Sequence, residues 1–167
     1  RLNADLANGL GNLASRVLAM QQRYFEGVVQ PLDPTPADRG LRAAFAEAAV
    51  AMERHIEQMG FHRALEALWR ALDHANKYVV EQAPFTLGKD PAQRPRVGAI
   101  LHELSEALRC TAQLVEPFLP ETARKLATFL AFPEDRLAGL SIPWGTAFPP
   151  GHHTLAPQPL FPRIDAT

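Results

Sequence analysis

Residues 1–24, RLNADLANGLGNLASRVLAMQQRY, decide the fold class of this chain. At about 100° per residue on a helical wheel, Leu2, Leu6, Leu10, Leu13, Val17, Met20 and Tyr24 fall within one arc roughly 80° wide. A half-buried strand would alternate sides at every residue, so this spacing predicts a long amphipathic helix with a single buried stripe. Gly27 is expected to end it, because the following VVQPLDPTP (28–36) is too rich in proline to continue a helix.

The same period recurs downstream. Thr35 offers an N-cap, Pro36 suits the first helical position and Asp38 sits where the helix dipole favours a carboxylate. A second helix is expected from there to Met59, burying Leu41, Phe45, Ala48, Met52, Ile56 and Met59, with Gly60 as its stop. The third would turn Phe61, Leu65, Leu68, Leu72, Ala75 and Val79 inward and end at Ala83-Pro84, since a residue before proline is pushed out of the α region. So short a hinge between helices two and three predicts antiparallel neighbours. PFTLGKDPAQRP (84–95) reads as a loop. A fourth helix carries Val97, Ile100, Leu101, Leu104, Leu108 and Leu114 and breaks at PFLP (117–120); a fifth spans about Glu121 to Leu130. After Phe132, prolines at 133, 143, 149, 150, 157, 159 and 162 make the chain an extended wrap. Its Ile142, Trp144, Phe148, Leu160 and Phe161 are too apolar to leave in water, so the wrap is expected to pack back on the helices. There is no strand pattern and no internal repeat. The expected fold is all-α, an antiparallel bundle of about five helices, with the bundle at 1–131 and the proline-rich extended tail at 132–167 forming one domain.

Composition narrows the classes. A chain of 167 residues, 47% hydrophobic and 21% charged, can bury an ordinary core. No apolar run approaches the roughly 20 residues that cross a bilayer, and no secretory pattern opens the chain, so a soluble, cytoplasmic protein with no membrane partner is expected. Arg1 opening directly on a helical pattern suggests an excised or processed piece of a longer protein. One cysteine, Cys110, allows no internal disulfide and reads as a small core thiol. A net charge of −1 gives no global field for a polyanion, so any nucleic acid would be met by a local patch.

No phosphate loop, nucleophile elbow or H-E-x-x-H motif is present. His55, His62, His74, His102, His152 and His153 lack metal-ligand spacing and are expected at the polar surface, with no metal. Two surfaces are more informative. Asp5, Asn8, Asn12, Arg16 and Arg23 fill an arc roughly 80° wide beside the apolar stripe of the first helix, and Asn12 and Arg16 are neighbours on it. Asn, with donor and acceptor, and Arg, with its planar fork, are residue types that read base edges and stack on bases. The second surface is ANKYVVEQAPFTLGKD (75–90), where Phe85 follows a proline at a helix end. It is either a core plug or an aromatic platform beside Lys77, Lys89 and Arg94, and such a platform suits single-stranded RNA.

NADLANGLGNLASR (3–16), ANKYVVEQAPFTLGKD, LVEPFLP (114–120), and the closing WG and LFPRID together resemble the C-terminal anticodon-binding region of methionyl-tRNA synthetase, a class I aminoacyl-tRNA synthetase. The resemblance covers essentially the whole chain in order. It implies that Asn12 and Arg16 bind bases of the CAU anticodon, that Asn8, Asn76 and Pro84 support the same surface, and that Phe85 stacks on an anticodon base where the family usually has Trp. The implied partners are methionine tRNA, initiator and elongator, and the parent's own N-terminal catalytic domain, but no DNA. Neither an H-I-G-H-like nor a K-M-S-K-S-like motif occurs here. The fragment alone is therefore expected to hold no cofactor and catalyse nothing, while ATP and Mg²⁺, with Zn²⁺ as an option, would belong to the catalytic part of the parent ligase. The competing expectation is a helical scaffold for protein contacts that does not bind RNA.

Overall fold

The computed structural model of the chain describes residues 2–33, 40–139 and 142–161, with backbone alone at residues 2, 3, 5 and 6. The side chains of Leu2, Leu6 and Asp5, and the Thr35-Pro36-Asp38 start expected for the second helix, lie outside the described residues. Five long helices account for most of the rest: α1 (Leu2–Phe25), α2 (Gly40–Glu57), α3 (Phe61–Gln82), α5 (Arg94–Val115) and α6 (Pro120–Phe129), with α4 (Pro84–Leu87) a single turn. No named strand occurs among the described residues. The all-α expectation holds, with α2 packed most extensively against α3.

Leu10, Leu13, Val17 and Met20 of the α1 stripe are buried, as are Leu41, Phe45, Ala48 and Met52 of α2 and Leu68, Leu72, Ala75 and Val79 of α3. The stripe stops short at one end of the bundle. Ile56, Met59 and Phe61, expected inside, are 36%, 75% and 49% exposed. Met59, rather than Gly60, takes the left-handed conformation that ends α2 (φ 58°), which throws its side chain off the stripe. Phe61 opens α3 and meets the Phe118 ring edge to face, at 6.4 Å between centroids.

Two segments read as irregular or one-sided are more ordered than expected. Residues 84–95 form α4 and then a 3₁₀ turn, Pro91–Gln93, started by Asp90, whose carboxylate accepts from Ala92 N–H at 3.0 Å. Moreover, α5 is not an amphipathic wall but the central helix: every residue from 97 to 115 except Cys110 is buried. Its charges are therefore buried too. Glu106 and Arg109, 0% and 1% exposed, form an ion pair through Nε at 2.9 Å and through Nη2. The Arg109 Nη1 also donates to Gln113 Oε1 at 3.1 Å. These groups hold the C-terminal segment: Gly145 and Ala147 N–H donate to Glu106 Oε1 at 3.0 and 3.2 Å, Trp144 Nε1–H donates to Glu103 Oε2 at 2.7 Å, and Gln113 donates to the carbonyls of Arg136 and Gly139. Ile142, Trp144, Phe148, Leu160 and Phe161 all contact the core. Farther along, Thr154 N–H donates to Gly27 O at 2.8 Å, and a Cβ on Gly27 (φ 85°) would lie 2.9 Å from the Thr154 carbonyl oxygen. Glycine at this turn thus lets the two segments approach.

The histidines also divide. His62 is exposed beside Glu66 at 3.2 Å, but His102 is only 5% exposed, a correction to its expected place at the surface. It lies on the all-round buried helix, donating Nδ1–H to Gln30 O at 2.6 Å against the edge of Phe148. Burial lowers its pKa below the ordinary 6.5, and His152 adds to this, against the opposing pull of the Gln30 carbonyl and Glu106. The unfolded chain therefore takes up the proton first as pH falls through about 6.5, and the stability that rests on neutral His102 is present above that pH and lost below it. The melting temperature should drop between about pH 7.5 and about pH 5.5, and His102→Gln should flatten that drop; an unchanged slope in the variant would count against it. Cys110 is half-buried rather than fully so, and burial pushes its thiol up to about 11, which keeps it in the unreactive form.

Candidate nucleic-acid interface

The polar edge of α1 lies beside α3. Asn76 Nδ2 donates to Gly9 O at 3.4 Å and to Leu72 O at 3.1 Å, while at the other end Tyr24 O–H donates to Phe85 O at 3.3 Å. The two helices therefore run in the same sense, and the edge carrying Arg16 and Arg23 faces the end of α3. There Ala83 adopts the left-handed conformation (φ 47°, ψ 54°) and its N–H closes on Val79 O, turning the chain sharply. Pro84, buried, occupies the first position of α4, where the missing N–H costs nothing. The turn is pinned from beneath by Tyr24, against which Gly88 packs so closely that a Cβ there would lie 2.4 Å from the ring.

This construction leaves Phe85 outside. It is 52% exposed, which settles the choice between core plug and surface aromatic. The ring borders an open groove of about 430 Å³ lined by Arg16, Ala19, Met20 and Arg23 of α1 and by Val79, Val80 and residues 83–86. Val80 is 70% exposed, so the groove has an apolar floor under a cationic rim. A second hollow of about 360 Å³ adjoins it, lined by Arg16, Asn76, Lys77, Val80 and Glu81. Arg16 borders both.

The residues singled out in the sequence distribute unevenly over this surface. Arg16, Pro84 and Phe85 meet at the groove, and Asn76 joins Arg16 at the second hollow while tying α3 to α1. Asn8 and Asn12 are exposed on α1 but line neither hollow. Of the three cations expected beside the aromatic, Lys89 lies 5.7 Å from the Phe85 centroid and Lys77 pairs with Asp73 at 3.6 Å. Arg94 is turned away: its Nη1 donates to Tyr24 O at 3.1 Å and its guanidinium lies 5.2 Å from the Tyr24 centroid. Arg23 takes that place, 5.4 Å from the Phe85 centroid. Its position seven residues after Arg16, on the same polar arc, was the sequence signal for it.

An exposed ring on a rigid corner, an apolar floor and a rim of cations make a surface suited to unpaired bases and the phosphates that join them. The model of the anticodon binding domain of methionyl tRNA ligase matches residues 29–167. The chain belongs to this family. Across 168 residues it is 36% identical to the methionine–tRNA ligase of Fusobacterium nucleatum, covering 99% of this chain and 26% of that protein. The corresponding ligase of Bacillus subtilis is 37% identical over 172 residues, covering 99% and 25%. Among solved structures, the free methionyl-tRNA synthetase of Mycobacterium tuberculosis superposes with a TM-score of 0.90 at 32% identity, over 100% of this chain and 34% of that one. The same synthetase in complex with methionyl-adenylate gives 0.88 at 34% identity, over 98% and 32%. The chain thus spans about a quarter of the curated relatives it matches, and the catalytic domain of those methionyl-tRNA ligases is not within these 167 residues. Among the described residues, no group of His, Cys, Asp and Glu is arranged to hold a metal ion, and no helix is long and apolar enough to cross a membrane.

Proposed function

We propose that this chain reads the CAU anticodon of methionine tRNA, initiator and elongator alike, as the recognition module of a cytoplasmic methionyl-tRNA ligase. Residues 1–131 and 132–167 act as one unit in this reading. The parent ligase would use ATP and Mg²⁺ to attach methionine, with its own catalytic domain as this chain's partner. The observation that carries the proposal is the place of Phe85: half-exposed on a turn fixed by Ala83, Pro84 and Tyr24, and sharing one groove with Arg16. Asn12, one turn before Arg16, offers a donor and an acceptor to a base edge just beyond that groove.

Binding of an anticodon stem-loop carrying CAU, against one with a permuted triplet, tests this reading. Arg16 supplies the sharper measurement. If its fork reads a base, Arg16→Lys should weaken binding almost as much as Arg16→Ala, because lysine keeps the charge and loses the planar, bidentate geometry. Full recovery with lysine would make Arg16 a phosphate contact with little specificity.

A further inference from the structure

Arg23 is the best-placed unassigned cation on this surface. Its guanidinium lies 5.4 Å from the Phe85 centroid and 5.7 Å from that of Tyr24. It has no carboxylate partner among the described residues, so two rings, one of them exposed, define its surroundings. It also lines the groove opposite Val79 and Val80.

A phenyl ring is smaller than a purine, and a base lying on Phe85 alone would overhang it. A guanidinium is planar, weakly hydrated and itself a stacking surface for bases, which an ammonium is not. We propose that Arg23 is a base-binding residue for anticodon recognition: its guanidinium lies over the Phe85 ring, holds it and adds a second flat surface to it, so that one unpaired base stacks on the pair. The cation–ring contact keeps the arginine over the groove before RNA arrives, which reduces the side-chain ordering left to binding. Lys89, 5.7 Å from the same ring, supplies charge to the same base but no flat surface.

This inference rests on the proposed reading of the CAU anticodon, and its test separates the two. A CAU stem-loop with 2-aminopurine placed at each anticodon position in turn reports stacking by quenching, alongside affinity. Arg23→Ala should weaken binding about fivefold and reduce quenching at one position, within the range for loss of part of a base stack. Arg23→Lys should recover less than half of that loss on the logarithmic scale. In the Phe85→Ala background the same Arg23→Ala change should cost less than about twofold, because residues that act as one platform are not additive. Melting temperatures should stay level across the set.

Three results overturn the inference. If lysine restores affinity, the two losses add, and the salt slope falls by about 0.7 in Arg23→Ala, then Arg23 only meets a phosphate. If Arg23→Ala and Arg23→Lys both melt well below the parent chain, Arg23 holds the turn and not the base. If neither variant changes affinity or quenching, it takes no part. The anticodon reading itself fails on a different measurement: an unmodified chain that does not prefer CAU over the permuted loop.

Discussion

Glu106→Ala should be among the most damaging single changes in this molecule, costing about 3–5 kcal/mol, the usual loss when one member of a buried ion pair is removed. The carboxylate is completely buried, and its removal would leave Arg109, 1% exposed, with a charge that Gln113 cannot neutralise. It would also strip the acceptor from Gly145 and Ala147 N–H, so the C-terminal segment would lose two of the hydrogen bonds that tie it to α5. For a domain of this size the melting temperature should fall by roughly 6–20 °C, at about 2–4 °C per kcal/mol. The paired change Glu106→Leu with Arg109→Leu isolates the cause. With both charges gone it should be much less harmful than either single change, since burying the pair was itself costly. A loss below about 1 kcal/mol for Glu106→Ala would show that the pair is not what holds residues 142–147 to α5.

Phe85→Ala is expected to separate binding from folding in the opposite way. Stacking contributes about 1–3 kcal/mol per base, so affinity for the CAU stem-loop should fall roughly tenfold or more. Since the ring is 52% exposed, little core packing goes with it and the melting temperature should barely move. Phe85→Trp should bind at least as tightly, because the groove beside the ring is open and an indole offers more stacking area. A core phenylalanine would instead lose several degrees of stability on truncation and resist enlargement to Trp. Unchanged affinity in Phe85→Ala would remove the stacking role and leave the groove to Arg16 and Arg23.

Helix type and most of the buried stripe were legible in the sequence because they depend on local periodicity. Leu10, Leu13, Val17 and Met20 share a face in any helix with 3.6 residues per turn. The polar arc of α1 followed from the same geometry, which is why Arg16 and Arg23 could be placed on one edge before any fold was known. Periodicity is silent about where a bundle ends, and so it placed Ile56, Met59 and Phe61 inside although they are 36%, 75% and 49% exposed. It also cannot say how many neighbours a helix has. The sequence of α5 shows an apolar face, yet His102, Glu103, Glu106 and Arg109 are buried because elements pack on every side of it.

By itself, then, the sequence determined an all-α bundle, its helix order and the family to which its motifs belong, since periodicity, proline and short motifs act through neighbouring residues. Tertiary structure alone decided the exposure of Phe85. That exposure depends on a left-handed Ala83, a conformation that L residues adopt only when surroundings compensate, and on Tyr24 bracing the turn from 61 residues away. It also decided the pairing of Glu106 with Arg109 and the capture of the C-terminal segment, because a charge is driven to a particular partner only once packing has taken both out of water.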